Sequence, residues 1–257
     1  MKALFVKCYG KLTVDMMIGG LIDMGVPIVY LKAKLKDAGL PETFLEKPNP
    51  KAQISAHYFH IPPVFSADPL KESRLFGRWK TICEKGNPDW EEKGWKVLSL
   101  LTAEGAAVLG KNKEEADFTE LKIGEENLTS LYLFLACLDY LDVDGLFAVP
   151  FSTKEGKTAE GKASFAILKD AVSTAGLPVD TDGIHPFAAA LLQGLAISFT
   201  PVDGRFLLDT TGYGSASAEK PAGENTVAEY LGYFTDRGES IFSPHMKVFG
   251  TLTDKDY

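Results

Sequence analysis

Asp15 stands just after Gly10 and Thr13. There the apolar run Lys2-Ala3-Leu4-Phe5-Val6-Lys7-Cys8 gives way to Met16-Met17-Ile18-Gly19-Gly20-Leu21-Ile22. A strand that feeds a glycine turn and then a helix leaves unpaired backbone donors at the helix start. Thr13 is a residue type that caps such a start, and an acid in the first turn meets the positive end of the helix dipole. Asp15 is therefore either a first-turn acid worth under about 1 kcal/mol or a carboxylate presented for chemistry. Glu125 and Glu126 open a second helix and carry the same two readings. His185, directly before Pro186, caps a helix or serves as a ligand. His57 and His60 fall on opposite sides of a strand-like stretch, so they cannot chelate one ion together, and a structural role is expected of both. Thr211-Gly212-Tyr213-Gly214 reads as a glycine loop: a plain turn, or a close backbone approach to a phosphate or ring.

Other chemistries find no support. Neither GxxxxGK[ST] nor GxGxxG occurs, so both standard nucleotide loops are missing, and there is no GxSxG elbow. Cys8, Cys83 and Cys137 are scattered through apolar segments and read as small buried hydrophobes, with no zinc pattern and no disulfide framework. A net charge of -8 argues against a nucleic-acid groove. The longest apolar run, Leu131 to Leu138, is far short of the roughly 20 residues of a membrane span. No signal-peptide pattern opens the chain, and a cytoplasmic location is expected.

The elements that must position these residues alternate along the chain. After the first helix, Tyr30, Leu31, Leu35 and Leu40 give a second one its apolar stripe, and Gly39 ends it. Residues 41–50 read as a proline-punctuated connection and residues 53–61 as a strand stopped by Pro62-Pro63. Helices are expected over residues 74–84 and 90–109, the latter with Trp95, Val97, Leu98, Leu101 and Ala106 on its apolar face. Trp79, Trp90 and Trp95 all read as core. The helix of residues 128–141 is apolar nearly all round and should run through the core. A strand follows over 146–151, then a solvent- or ligand-facing loop (154–162), a helix over 163–175 and another from His185 to Leu195. Residues 197–201 and 205–209 look like a hairpin around Asp203-Gly204, and residues 226–233 a last helix or strand. The economical architecture is α/β: one domain, a mixed β-sheet covered by helices.

The opening segment resembles that of the LarC family of nickel insertion proteins, which load metal into the nickel-pincer nucleotide cofactor. Gly10, Asp15, Met16, Leu21, Asp23, Gly25, Val26 and Pro27 match the family's opening, whereas its second glycine is replaced by Val14. Further partial matches follow in order: the spacing of residues 79–110, Phe118 with Glu120, residues 135–141, Asp142-Val143-Asp144, Asp182 to Leu192, and Thr211-Gly212-Tyr213-Gly214. The resemblance covers residues 1–235, identified as similar to the family's N-terminal domain, and leaves 236–257 as a tail. The departures concern histidine: Phe76-Gly77-Arg78, Asp117-Phe118-Thr119-Glu120 and Ala159-Glu160-Gly161 stand where the family carries imidazoles. No counterpart of the family's C-terminal domain is expected within these residues.

The resemblance implies a site. If its fold brings the loops to one end of the sheet, Asp15, Glu120, Glu126, Asp182 and His185 form an acidic pocket for a divalent metal such as nickel, manganese or magnesium. Gly10, Thr13, Gly212, Tyr213 and Gly214 would then approach a nucleotide-type cofactor. The implied activity is binding or delivery of the metal or of that metallocofactor by ligand exchange. Two alternatives stand beside it: a non-catalytic paralogue that serves as a partner or scaffold subunit, and a metal-dependent hydrolase on an unrelated α/β fold. A small-molecule metallocofactor or a protein partner is expected, with no nucleic acid or membrane, and homo-oligomerisation is left open.

Overall fold

The opening strand, β1 (Lys2–Cys8), lies inside a seven-stranded mixed sheet. The structure is a computed structural model that describes residues 1–49, 56–64, 68–149, 153–169, 179–199, 205–218 and 225–235. β1 feeds α1 (Val14–Asp23) and α2 (Ile28–Asp37). Next come β2 (Leu45–Pro48), β3 (His57–His60), α3 (Glu72–Lys85), α4 (Glu91–Leu109) and α5 (Glu125–Tyr140). The second half holds β4 (Gly145–Ala148), β5 (Thr153–Lys154), α6 (Ala159–Leu168), β6 (Val179–Asp180), α7 (Pro186–Leu195), β7 (Ala196–Ser198), β8 (Arg205–Ser215) and β9 (Thr226–Thr235). The sheet order is β2-β3-β8-β9-β1-β4-β7, with β5 and β6 a separate parallel pair. β1 runs parallel to β4 and antiparallel to β9, so the sheet is mixed, as the alternation of elements predicts.

Side-chain alternation divides the sheet into two faces. Leu4, Val6, Cys8, Leu146, Val227 and Leu231 enter the main core, against which the helices pack. Phe5, Phe147, Phe206 and Phe234, from the intervening positions, gather in a separate aromatic cluster with Phe5 and Phe147 stacked 5.0 Å apart. α1 lies on β3, β8 and β9, and α5 lies over α1. α5 is a second helical layer, and residues 128–137 are all buried, which accounts for its all-round apolar sequence.

α1 approaches the sheet closely because both sides lack side chains. A Cβ on Gly214 would run into the Met16 carbonyl, one on Gly212 into the Gly20 carbonyl, and one on Gly19 into the His57 carbonyl. The expected glycine loop at residues 211–214 is therefore corrected. It is the second half of β8, paired with β9 from end to end, and its glycines serve helix–sheet packing.

Other expectations change for local reasons. β2 arises inside the proline-rich connection, antiparallel to β3. The hairpin at 197–209 is not formed: β7 pairs with β4 at one sheet edge and β8 lies between β3 and β9. Thr158 caps α6, and the helix starts within the expected loop; its Oγ1 accepts from Gly161 N at 3.0 Å. Trp79 and Trp90 are core, but Trp95 is exposed (42%). All three cysteines are buried and free. The tail at 236–257 lies outside the described residues, as do 50–55, 170–178 and 200–204.

Candidate functional site

Thr13 caps α1 as its residue type predicts, its Oγ1 accepting from Met16 N at 3.1 Å. The turn before it is fixed from the other side of the sheet end. Leu12 N donates to Gly183 O and His185 N donates to Leu12 O, so the start of α1 and the start of α7 are tied together. The Gly10 carbonyl lies where a side chain on Gly183 would sit. Asp15 thereby projects from the first turn of α1 toward the end of β3 and the first turns of α5.

Three donors converge on its carboxylate. Ser130 Oγ donates to Oδ1 at 2.6 Å, and Ile61 N donates to Oδ2 at 3.0 Å. His60 Nδ1 lies 3.1 Å from Oδ2, which assigns the proton to Nδ1 and turns the Nε2 lone pair outward. Among the described residues no partner meets His60 Nε2, and the side chain is 40% exposed. The hydrogen bond to Asp15 and the charge of Asp15 raise the His60 pKa against the opposing effect of burial, and Glu126 adds to the rise. Glu126 is held by Val64 N, which donates to its Oε2 at 3.1 Å. A carboxylate behind Nδ1 with Nε2 presented to solvent is how proteins orient an imidazole that binds a metal or carries a proton.

His185 fulfils the capping half of its expectation. Its Nδ1 accepts from Phe187 N at 3.3 Å, and Nε2 faces the Lys122 carbonyl at 3.3 Å. Burial, its largest influence, lowers its pKa, while Asp15 acts in the opposite sense. Lys122 holds this position in the left-handed region (φ 55°), and its Nζ pairs with Glu160 at 2.9 Å. Asp15, Glu126 and His185 are thus drawn to one end of the sheet, with both nitrogens of His185 engaged.

Glu120 and Asp182 do not join them. Glu120 pairs with Lys111 at 2.6 Å on the surface. Asp182 accepts from Lys157 N at 2.9 Å, from Thr158 N at 2.9 Å and from Thr158 Oγ1 at 2.6 Å, which depresses its pKa to about 2. Among the described residues, no three His, Cys, Asp or Glu side chains gather closely enough to enclose an ion. A metal here would meet an open site, with His60 Nε2 and the nearby Glu126 as the donors it could use. Of the residues expected near a cofactor, Gly212 and Gly214 have their helix-side space filled by α1, and Tyr213 N donates to Asp23 Oδ2 at 3.0 Å.

His60 is the participant that strand periodicity does not disclose. Alternation separates it from His57, which pairs with Glu46 at 2.6 Å, but cannot tell that its own side leads to Asp15. Ser130 is equally hidden inside an apolar helix. Glu229 is a further surprise: it is fully buried on β9 beneath Gly20, its two oxygens have no partner among the described residues, and burial with the nearby Asp23 charge raises its pKa far above the ordinary range.

Comparison with known proteins adds a family. The model for "Nickel insertion protein" matches residues 4–250. A relative from Citrifermentans bemidjiense, provisionally named a nickel insertion protein, is 26% identical over 99% of this chain and 70% of its own length. Relatives of the same name from Geobacter sp. strain M21 and Synechococcus elongatus are 26% and 27% identical, over 99% and 86% of this chain and 66% and 57% of their own lengths. The chain thus spans roughly two thirds of the curated relatives it matches. No solved structure matches it. Among the described residues no helix is long and apolar enough to cross a membrane. With a match that runs over nearly its whole length, the chain belongs to the nickel insertion protein family.

Proposed function

We propose that the chain acts in nickel insertion by holding the ion briefly, as cargo, at His60 and Glu126, with Asp15 orienting the imidazole. The observation that carries this reading is the Asp15–His60 pair, 3.1 Å apart, with Nε2 left open. Imidazole is a preferred nickel donor, and a carboxylate on its far nitrogen raises its basicity and fixes its tautomer. Two protein donors leave most coordination positions to water or to the acceptor molecule. That suits exchange, because an ion that must be passed on should not be enclosed. The family resemblance makes a nickel-pincer-type nucleotide cofactor the expected acceptor.

A second reading, a partner or scaffold subunit without metal chemistry, is favoured by the lack of any three-ligand group among the described residues. One experiment separates the two. The untagged protein is purified anaerobically, assayed for metal and titrated with Ni(II), then compared with His60→Ala and Asp15→Asn. Saturable nickel binding that is lost in His60→Ala and weakened in Asp15→Asn supports hand-off. Binding equal in all three proteins, or none at high micromolar nickel, overturns it in favour of the partner reading.

A further inference from the structure

The chain is rich in lysine, yet two of its four arginines, Arg74 and Arg78, stand one turn apart on α3. Both face Glu125 in the first turn of α5. Arg74 donates Nε and Nη2 to Glu125 Oε1 at 2.8 and 2.6 Å, a two-point grip that clamps α3 to α5. Arg78 makes its closest approach to Glu125 Oε2 through Nε, at a longer 3.3 Å, and its side chain is half-exposed. Among the described residues Glu125 is the acid with which Arg78 pairs. The clamp is complete without Arg78.

Arg74, Gly77, Arg78, Thr81 and Glu125 line an open depression of about 510 Å³. Gly77 leaves its floor clear, since a side chain there would meet nothing within 4 Å. Arg74 also pairs with Asp68 Oδ2 at 3.9 Å, so Glu125 and Asp68 offset the two guanidinium groups, and Arg78 is the more loosely paired of the two arginines. A half-exposed, loosely paired guanidinium beside an open depression can turn its planar fork to an oxyanion for two-point recognition.

We propose that this depression is an oxyanion-binding site for a phosphoryl group, with Arg78 as the principal ligand and Arg74 as its support. Glu125 has two effects there: it positions both arginines and competes with the anion for them. The site uses none of the groups proposed to hold nickel, so it stands or falls separately from that reading.

The test is a calorimetric titration of the full chain, without nickel, with inorganic phosphate and with ribose 5-phosphate. Saturable binding is expected, weakened about tenfold in Arg78→Gln, as loss of a charged hydrogen bond implies. Glu125→Gln should bind severalfold more tightly, because it removes the competing charge. A purely structural ion-pair network predicts no such gain. Lys96→Gln, at a surface pair with Glu92 on α4, should bind as the wild type does. Thermal unfolding of each variant checks the fold, and Arg78 is chosen because the Arg74 clamp remains. Tighter binding of the ester than of free phosphate identifies the phosphoryl end of a larger molecule; equal binding identifies the free anion. Binding that is unsaturable, unchanged in Arg78→Gln or no tighter in Glu125→Gln overturns the proposal.

Discussion

Two carboxyl groups lie against the same helix and have opposite environments. Asp15, at the start of α1, accepts from a hydroxyl, a backbone amide and an imidazole. Glu229, under Gly20 near the other end of α1, has both oxygens buried with no partner among the described residues. Hydrogen bonds to a carboxylate can replace lost water, and three donors do so at Asp15. With no such replacement, burial drives Glu229 to its neutral form, and Asp23 nearby pushes the same way. Helix proximity alone therefore does not make an acid functional; the donors that surround it do. Asp15 is wired to a half-exposed histidine, whereas Glu229 is sealed in.

The largest expected effect comes from disturbing the helix that both groups share. Gly214→Ala places a methyl group against the Met16 carbonyl, backbone against backbone, with no flexible atom to yield. Overpacking of this kind costs typically about 1–3 kcal/mol, and this site should lie at the upper end. Urea unfolding would measure it. The same variant should weaken the Asp15–His60 contact, visible as a drop in the His60 pKa by NMR. A stable variant with an unaltered His60 would mean that α1 does not depend on the glycine contact.

Glu229→Leu should act in the other direction. Replacing an unpartnered buried polar group by an apolar one of similar size should stabilise the protein by about 1–3 kcal/mol near pH 8. The pH dependence has a definite sign. The folded-state pKa is raised, so the folded protein holds a proton that the unfolded chain releases above the ordinary Glu range. Wild-type stability should therefore fall as pH rises from about 4.5 toward the folded value. Glu229→Leu should flatten that slope. If the variant were less stable than wild type at pH 8, the carboxylate would have to be the charged partner of a cation.

Much of this contrast was hidden in the sequence, for physical reasons. The opening strand, the Thr13 cap and the apolar α5 are local patterns, and all three stand as read. The site fails to show because its parts come from separate elements. Asp15 and His60 are joined only when β3 packs beside α1, and Ser130 only when α5 covers it. Gly212 and Gly214 signal backbone access in either reading; the sequence cannot tell whether a ligand or a helix fills the space. Glu229 alternates with Ala228 and Tyr230 as a surface acid on a half-buried strand would, and only the helix above it makes its side the inner one. His185 reads as a cap or a ligand, and its cap geometry needs no long-range information.

Asp15→Asn tests the wired half of the comparison. The amide keeps the shape but loses the charge and introduces a donor opposite Ile61 N, Ser130 Oγ or His60 Nδ1. Stability should fall by about 1 kcal/mol, and the His60 pKa should drop toward its ordinary value. In the wild type the raised pKa means that the Asp15–His60 contribution is full below about pH 6.5 and is lost as pH rises through the folded value. Nickel needs the neutral ring, so its affinity should increase over the same interval. An unchanged His60 titration in Asp15→Asn would remove Asp15 as the orienting group.

Asp182 gives the smallest effect and the sharpest control. It too is a carboxylate surrounded by donors, but they belong to the start of α6, and among the described residues no imidazole bonds to it. Its pKa is depressed to about 2, so its contribution is present above the ordinary Asp range and is lost as pH falls through that value. In Asp182→Asn the side-chain amide would oppose the Lys157 or Thr158 N–H, and the dependence of stability on pH between about 4 and 2 should flatten. His60 titration and nickel binding should stay as in the wild type. If either moved with Asp182, the start of α6 would belong to the same site as Asp15, through the Leu12–His185 tie that already joins α1 to α7.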